Sequence, residues 1–317
     1  MKTAGFTFLF SLVLMAFSPL FSQDANQAQS PPAANSTPTT TSLFPFRPLD
    51  QLVGQRFVFR PMMTAKQQQT GYLGFDFDYN PDYKEYLGRS IKILSIGGSK
   101  YFPKIQVAVE DNLKEFTIIT EGGSMNAFVF IPDVEAAKAQ WTNATLWYKG
   151  DNLICCYQED ADSLALVKVK KLSQVKVVDV GVSWDPTRPI RFTVQTTAGQ
   201  QGFVDVNVSG TNVSRAVRGQ NRFDDLFFSQ DPRTLFAWPD SIWSAIRSGN
   251  VIVGMAPEQA KMAWGTPKST GSDGPDREAW TYASGNTVHF ENGVVTGIDA
   301  PRTDDAVTPD GYPKPDP

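Results

Sequence analysis

Apolar and polar residues alternate in short runs along much of this chain, and the runs are separated by Gly, Pro, Asn and Asp. LVGQRFVF (52–59), GYLGFDFDY (71–79), IKILSI (91–96), KIQVAV (104–109) and EFTIIT (115–120) each repeat with period two, the signature of half-buried strands. The short EDNLK connection after Val109 predicts a hairpin. DVEAAKAQW (133–141) breaks the alternation with helical spacing behind an Asp start, and predicts one short helix between two β regions.

Beyond Trp141 the plan recurs. IKILSI, Pro103 and KIQVAV are followed 84 to 86 positions later by VKVVDV (175–180), Pro189 and IRFTVQ. NLKEFTII (112–119) corresponds to GQQGFVDV (199–206), and QRFVF (55–59) to ATLWY (144–148) at an offset of 89. This reads as internal duplication of a small antiparallel β unit, with convergent alternation as the competing explanation. Strands at this spacing suit small barrels or sandwiches, SH3-like in size. From Asn207 to Asn221 the apolar pattern lapses, which predicts a boundary.

The last patterned region changes period. SIWSAIRSG, opened by Asp240 or Ser241 as cap and closed by Gly249, predicts a first helix. NVIVGM is an apolar, strand-like link. Pro257 and Glu258 suit the start of a second helix, which Gly265 stops and Pro267 prevents from continuing. AWTY (279–282), TVHF (287–290) and VVTGI (294–298), separated by Ser284-Gly285-Asn286 and Glu291-Asn292-Gly293, predict a three-strand meander. The expected fold class is therefore mainly β with a C-terminal α+β module: two antiparallel β barrels or sandwiches, then a two-helix, three-strand domain.

Composition adds an address. Lys2 and the apolar run Phe6–Phe17 read as a secretory signal, with Ser22 before the cleavage point. The run is shorter than the roughly 20 residues of a bilayer span, so no transmembrane segment is expected after cleavage. The divisions predicted are 1–22 signal peptide, 23–44 unstructured linker, 45–138 and 139–222 β units, 223–300 terminal module, and 301–317 unstructured tail. The chain has 29 basic and 33 acidic side chains; without residues 1–22 the balance is 28 against 33, a net of −5. That argues against a nucleic-acid partner.

Candidate chemistry is sparse. Neither a P-loop nor a nucleophile elbow, zinc spacing or paired-cysteine redox motif occurs. Catalytic residues, metal and cofactor are all expected to be none. Asp76, Asp78, Asn80 and Asp82 begin like a calcium loop, but Pro81 stands at the required Gly and Leu87 at the closing Glu. Cys155 and Cys156, neighbours on a strand, should point to opposite faces as two buried or half-buried thiols. The sequons at Asn35, Asn143, Asn207 and Asn212 matter only in a glycosylating pathway.

The terminal module carries a resemblance. Ile252, Gly254, Met255, Pro257, Glu258, Gln259, Trp264, Gly265, Pro267, Trp280, Tyr282, Phe290 and Asn292-Gly293-Val294 follow the pattern G-M-x-x-E-Q…G-x-P…W-x-Y…F-x-x-G-x-V. Over about 241–299 this resembles the SmpA/OmlA (BamE-like) outer-membrane small lipoproteins. The resemblance implies an envelope protein without catalytic activity, and a shape shared with β-lactamase inhibitory proteins, which bind other proteins through the sheet face. Trp280, Tyr282 and the single histidine, His289, are accordingly the expected binding residues. No lipid-bearing Cys follows the signal, and Ala256 stands at the usual Thr or Ser helix cap. The localisation implied is the periplasm or the exterior, peripheral to the outer membrane, with a protein or cell-envelope component as partner. Two other functions fit: cell-wall or peptide binding through the SH3-like units, and hydrolysis by paired carboxylates such as Asp224 and Asp225 or Asp76 and Asp78.

Overall fold

A computed structural model describes residues 44–62, 83–158 and 163–301. The expected strand at 71–79, the Asp76–Asp82 spacing, the signal, the linker up to residue 43 and the tail from residue 302 lie outside the described residues. The chain is mainly β, with antiparallel sheets and a C-terminal α+β region, as its alternation predicts.

The first sheet is built from β1 (Arg56–Phe59), β2 (Ser90–Gly98), β3 (Pro103–Val109), β4 (Glu115–Ile119) and β5 (Phe128–Phe130), with α1 (Tyr83–Tyr86) between β1 and β2. Its order is β4-β3-β2-β1-β5. One face of each strand is apolar, so Phe57, Phe59, Ile91, Ile93, Ile105, Val107, Phe128 and Phe130 meet in one core.

Helix α2 (Ile131–Trp141) leaves β5 directly, Pro132 fitting a position where its missing N–H costs nothing. It begins two residues earlier than its Asp133 suggested, and Asp133 itself is buried rather than a cap. β6 (Thr145–Tyr148), β7 (Asn152–Gln158), β8 (Ser163–Lys168), β9 (Ser173–Val182), β10 (Ile190–Thr196) and β11 (Gln201–Val206) follow; then α3 (Phe223–Leu226) and β12 (Phe227–Phe228). They form one sheet in the order β12-β6-β9-β10-β11-β7-β8. Trp141 of α2 stacks on Phe223 at 4.4 Å and touches Phe192 and Phe44 at 5.2 Å, which seats the helix in the second core.

The two sheets share a plan deeper than strand order. Read from one edge, β4-β3-β2-β1-β5 corresponds to β11-β10-β9-β6-β12, and the β7–β8 hairpin is an insertion after β6. The β2–β3 ladder skips Leu94, and the β9–β10 ladder skips Val178, 84 positions later. Arg56↔Lys92 in the first sheet has its counterpart in Thr145↔Lys176, at offsets of 89 and 84. A bulge is a specific local device rather than a generic feature of alternation. Its recurrence favours duplication over convergence. Among the described residues each sheet keeps two edge strands, and the expected barrel closure is not among the pairings.

The terminal module contains α4 (Pro232–Leu235), α5 (Asp240–Arg247) and α6 (Pro257–Trp264), then β13 (Ser269–Gly274), β14 (Arg277–Thr281), β15 (Thr287–Glu291) and β16 (Val294–Asp299). The meander has four strands rather than three. STGSDG has no apolar alternation, and it pairs with β14 only because the Pro275-Asp276 turn folds it back. NVIVGM is no strand: Gly254 turns the chain at φ +88°, and its N–H bonds Val295 O at 2.8 Å. Neither Asp240 nor Ser241 caps α5; Pro239 occupies that position without a side-chain bond. Asn292 and Gly293, at φ +52° and +75°, make the two-residue turn that the twist of β15–β16 requires.

Candidate functional site

The residues singled out in the terminal module mostly build it. Met255 is buried, Gly265 stops α6 at φ +85°, and Gln259 Oε1 accepts from Ala256 N at 2.8 Å. That bond satisfies the Ala256 N–H, one half of a capping box; Ala256 has no side-chain acceptor to supply the other half. Trp264 Nε1 donates to Gly249 O at 2.8 Å and ties the two helix ends together. Pro257 opens α6, Glu258 lies in its first turn, and Pro267 follows its stop.

Two of the three expected binding residues are core residues. Trp280 and Tyr282 are 5% and 4% exposed, packed on Phe290 at 4.6 Å and on Trp264 at 5.2 Å. They fill the space under α5 and α6, so neither presents a binding face. His289 lies on the opposite face, its side chain 38% exposed, with Nε2 2.8 Å from Asp299 Oδ2. Sequence spacing could separate His289 from its strand neighbours, but it could not tell which face the helices cover.

The stretch predicted as a boundary opens with a buried clasp, residues 207–213, between the two β units. Asn212 Nδ2 donates to the carbonyls of Met125 and Phe128 at 3.0 and 2.8 Å, and its Oδ1 accepts from Met125 N at 2.7 Å. Arg47 N donates to Thr211 Oγ1 at 3.1 Å. Ser209 Oγ bonds Asp133 Oδ2 while accepting from Thr211 N. Asn207 bonds Arg218 O and Gly210 N, so the sequons at 207 and 212 are structural asparagines whose amides are already used. Burial is the main cause that pushes Asp133 up to about 6, against the pull of the Ser209 bond and the charges of Arg47 and Arg222. Polar residues carry this seam, which is why the apolar pattern missed it.

Two clefts flank the second sheet. The first, about 740 Å³, is lined by Lys149, Asp224, Asp225, Glu258 and Lys261 among others. Lys149 Nζ donates to Asp224 O and lies 3.8 Å from the Phe228 ring centre; burial lowers its pKa. Asp225 Oδ2 accepts from Arg222 N at 2.8 Å and so closes the start of α3. The second cleft, about 1050 Å³, lies between the 168–171 segment and α4–α5 and is predominantly basic. The Lys-rich run VKVKK (167–171) was its only sequence signal. Among the described residues, no group of three or more His, Cys, Asp or Glu is placed to hold a metal.

The β7–β8 hairpin carries exposed apolar side chains on an open strand. β8 is a sheet edge, and Leu164 and Leu166 stand out from it at 37% and 56% exposure. Cys155 and Cys156 on β7 are both exposed, contrary to the buried or half-buried expectation. The ladder pairs Ile154 with Leu166 and Cys156 with Ala165, leaving Cys155 as a bulge. A bulge disrupts strict alternation, and the neighbouring Cys155 is the main cause that raises the Cys156 pKa. Arg191 looks chemical but is structural: it grips the buried Asp205 through two bonds of 2.8 and 2.9 Å, between the rings of Trp184 and Phe203.

The chain matches no family model, no curated protein and no solved structure. The SmpA/OmlA resemblance therefore rests on the quoted residues alone.

Proposed function

We propose that this chain is an exported, non-catalytic protein of the cell envelope that holds another protein, gripping an extended segment of it along β8. The apolar run Phe6–Phe17 and the resemblance of the terminal module support the address. One observation carries the grip: β8 is an edge strand with Leu164 and Leu166 exposed on one face. Proteins usually blunt such edges with inward charges, Pro or a covering element. An unblunted edge offers backbone donors and acceptors to a partner strand, with alternate side chains for selectivity.

β8 is joined to the rest of its sheet through β7, which pairs with β11 at Phe203↔Ile154. Carboxylate catalysis is the weaker reading. Asp225 is committed to the start of α3, and Asp76 and Asp78 lie outside the described residues.

The test is capture from envelope extracts with the full chain and with Leu164→Asp/Leu166→Asp. Both side chains point outward, so the melting temperature should hold while the captured partner is lost. A double variant that retains every partner of the parent chain removes β8 as the grip.

A further inference from the structure

The basic cleft between the 168–171 segment and the α4–α5 region meets β8 only at that strand's last residue, Lys168. Its cations come from both walls: Lys168, Lys170 and Lys171 on one side, Arg233 and Arg247 on the other. Two carboxylates, Asp151 and Asp240, also line it, so the local balance is +3 in a chain whose net charge is −4.

Internal partners do not use up this charge. Lys168 is paired with Asp151 at 3.3 Å, and the Lys171 ammonium donates to Ala263 O at 2.7 Å. Among the described residues Lys170, Arg233 and Arg247 have no ion pair, and all three are exposed. Ser244 and Arg247 of α5 and Ser248 at its C-terminal cap lie three and four residues apart, and all line the cleft. Hydroxyl donors thus stand beside a guanidinium.

We infer that this cleft binds a small, multiply charged phosphate group. Guanidinium forks pair with phosphate oxygens in two-point contacts, and lysines add compact charge without demanding geometry. The volume, about 1050 Å³, suits a small ligand rather than a polymer. The rest of the chain is acidic on balance, so the attraction for anions is local to this concavity. The phosphate is either free in solution or displayed by a lipid headgroup; its chemistry is the same.

Isothermal titration of the full chain with tripolyphosphate tests it, beside vesicles containing phosphatidic acid. The expected result is one saturable site that weakens steeply with salt and loses at least about tenfold affinity in Arg233→Gln/Arg247→Gln. Neither residue lies on β8, so capture of a protein partner should be unchanged in this variant. Lys100→Gln/Lys104→Gln, on the first sheet, should bind as the parent does. Retention by vesicles alone assigns the phosphate to a lipid, and titration alone to a soluble ester, provided the arginine variant abolishes it. Absence of saturable binding in both arms overturns the site. So does equal weakening by the two double variants, which would mean diffuse attraction.

Discussion

Asp133 and Ser209, 76 positions apart, meet as carboxylate and hydroxyl across the seam between the two β units. Both are buried, and the contact joins the helix that follows the first sheet to the segment that leaves the second. The seam is thus polar and titratable while the cores on either side are apolar.

Stability should depend on the charge of Asp133. Its folded-state value, about 6, lies above the ordinary 3.8, so folding favours the protonated acid. The stabilisation is full below pH 4 and is lost as pH rises through 6, a span on the order of 3 kcal/mol. Asp133→Asn keeps a partner for Ser209 and cannot ionise. Urea midpoints between pH 4 and 8 should converge at the acid end and favour the variant at pH 7 and above. Parallel curves would remove Asp133 as the titrating group.

The clasp has a separate test in Asn212. Asn212→Ala removes three hydrogen bonds and leaves the Met125 and Phe128 backbone groups short of partners, a cost of about 2–4 kcal/mol. Asn212→Gly loses the same bonds but tolerates φ +60° better. Denaturation should therefore rank parent, Gly, Ala. Hydrogen exchange at the Met125 amide, whose N–H donates to Asn212, should rise in both variants.

The thiols should be available without unfolding. Two equivalents of an aromatic disulfide reagent should react with the native chain, since Cys155 and Cys156 are both exposed. The neighbouring Cys155 is the main cause that raises the Cys156 pKa, so Cys155→Ala should free more thiolate at neutral pH and speed the reaction of Cys156. A slower reaction would contradict the arrangement at the bulge.

Trp280 and His289 separate core from surface. Trp280→Ala should cost about 3–5 kcal/mol, because a large buried ring is removed from the third core. His289→Ala should cost under about 1 kcal/mol, since its contact with Asp299 is solvent-exposed. Equal effects in thermal melts would contradict the burial pattern.

Much of this architecture was legible in the chain. Period-two runs marked most strands of the two sheets, though not β8 or β12, and Gly249 and Gly265 marked the ends of α5 and α6. Short or polar strands escaped. Phe128–Phe130 is too brief to show a period, and Ser269–Gly274 is a strand only because β14 lies beside it. The duplicated offsets were visible too, but the skipped residues Leu94 and Val178 needed the ladders.

By itself, the sequence determined the alternation, the helix stops and the repeated β plan, because each follows from backbone preference and burial within a few neighbouring residues. Tertiary structure decided the rest. It put Trp280 and Tyr282 under the helices, left Leu164 and Leu166 on an open edge, and gathered cations from 168–171, 233 and 247 around one cleft. It also built the clasp of Asn207, Ser209 and Asn212 from a stretch that reads only as a boundary. The physical reason is range. A side chain's solvent exposure and its hydrogen-bond partners are set by segments 70 to 90 positions away, as Asp133–Ser209 and Met125–Asn212 show, and no local pattern encodes which segment arrives.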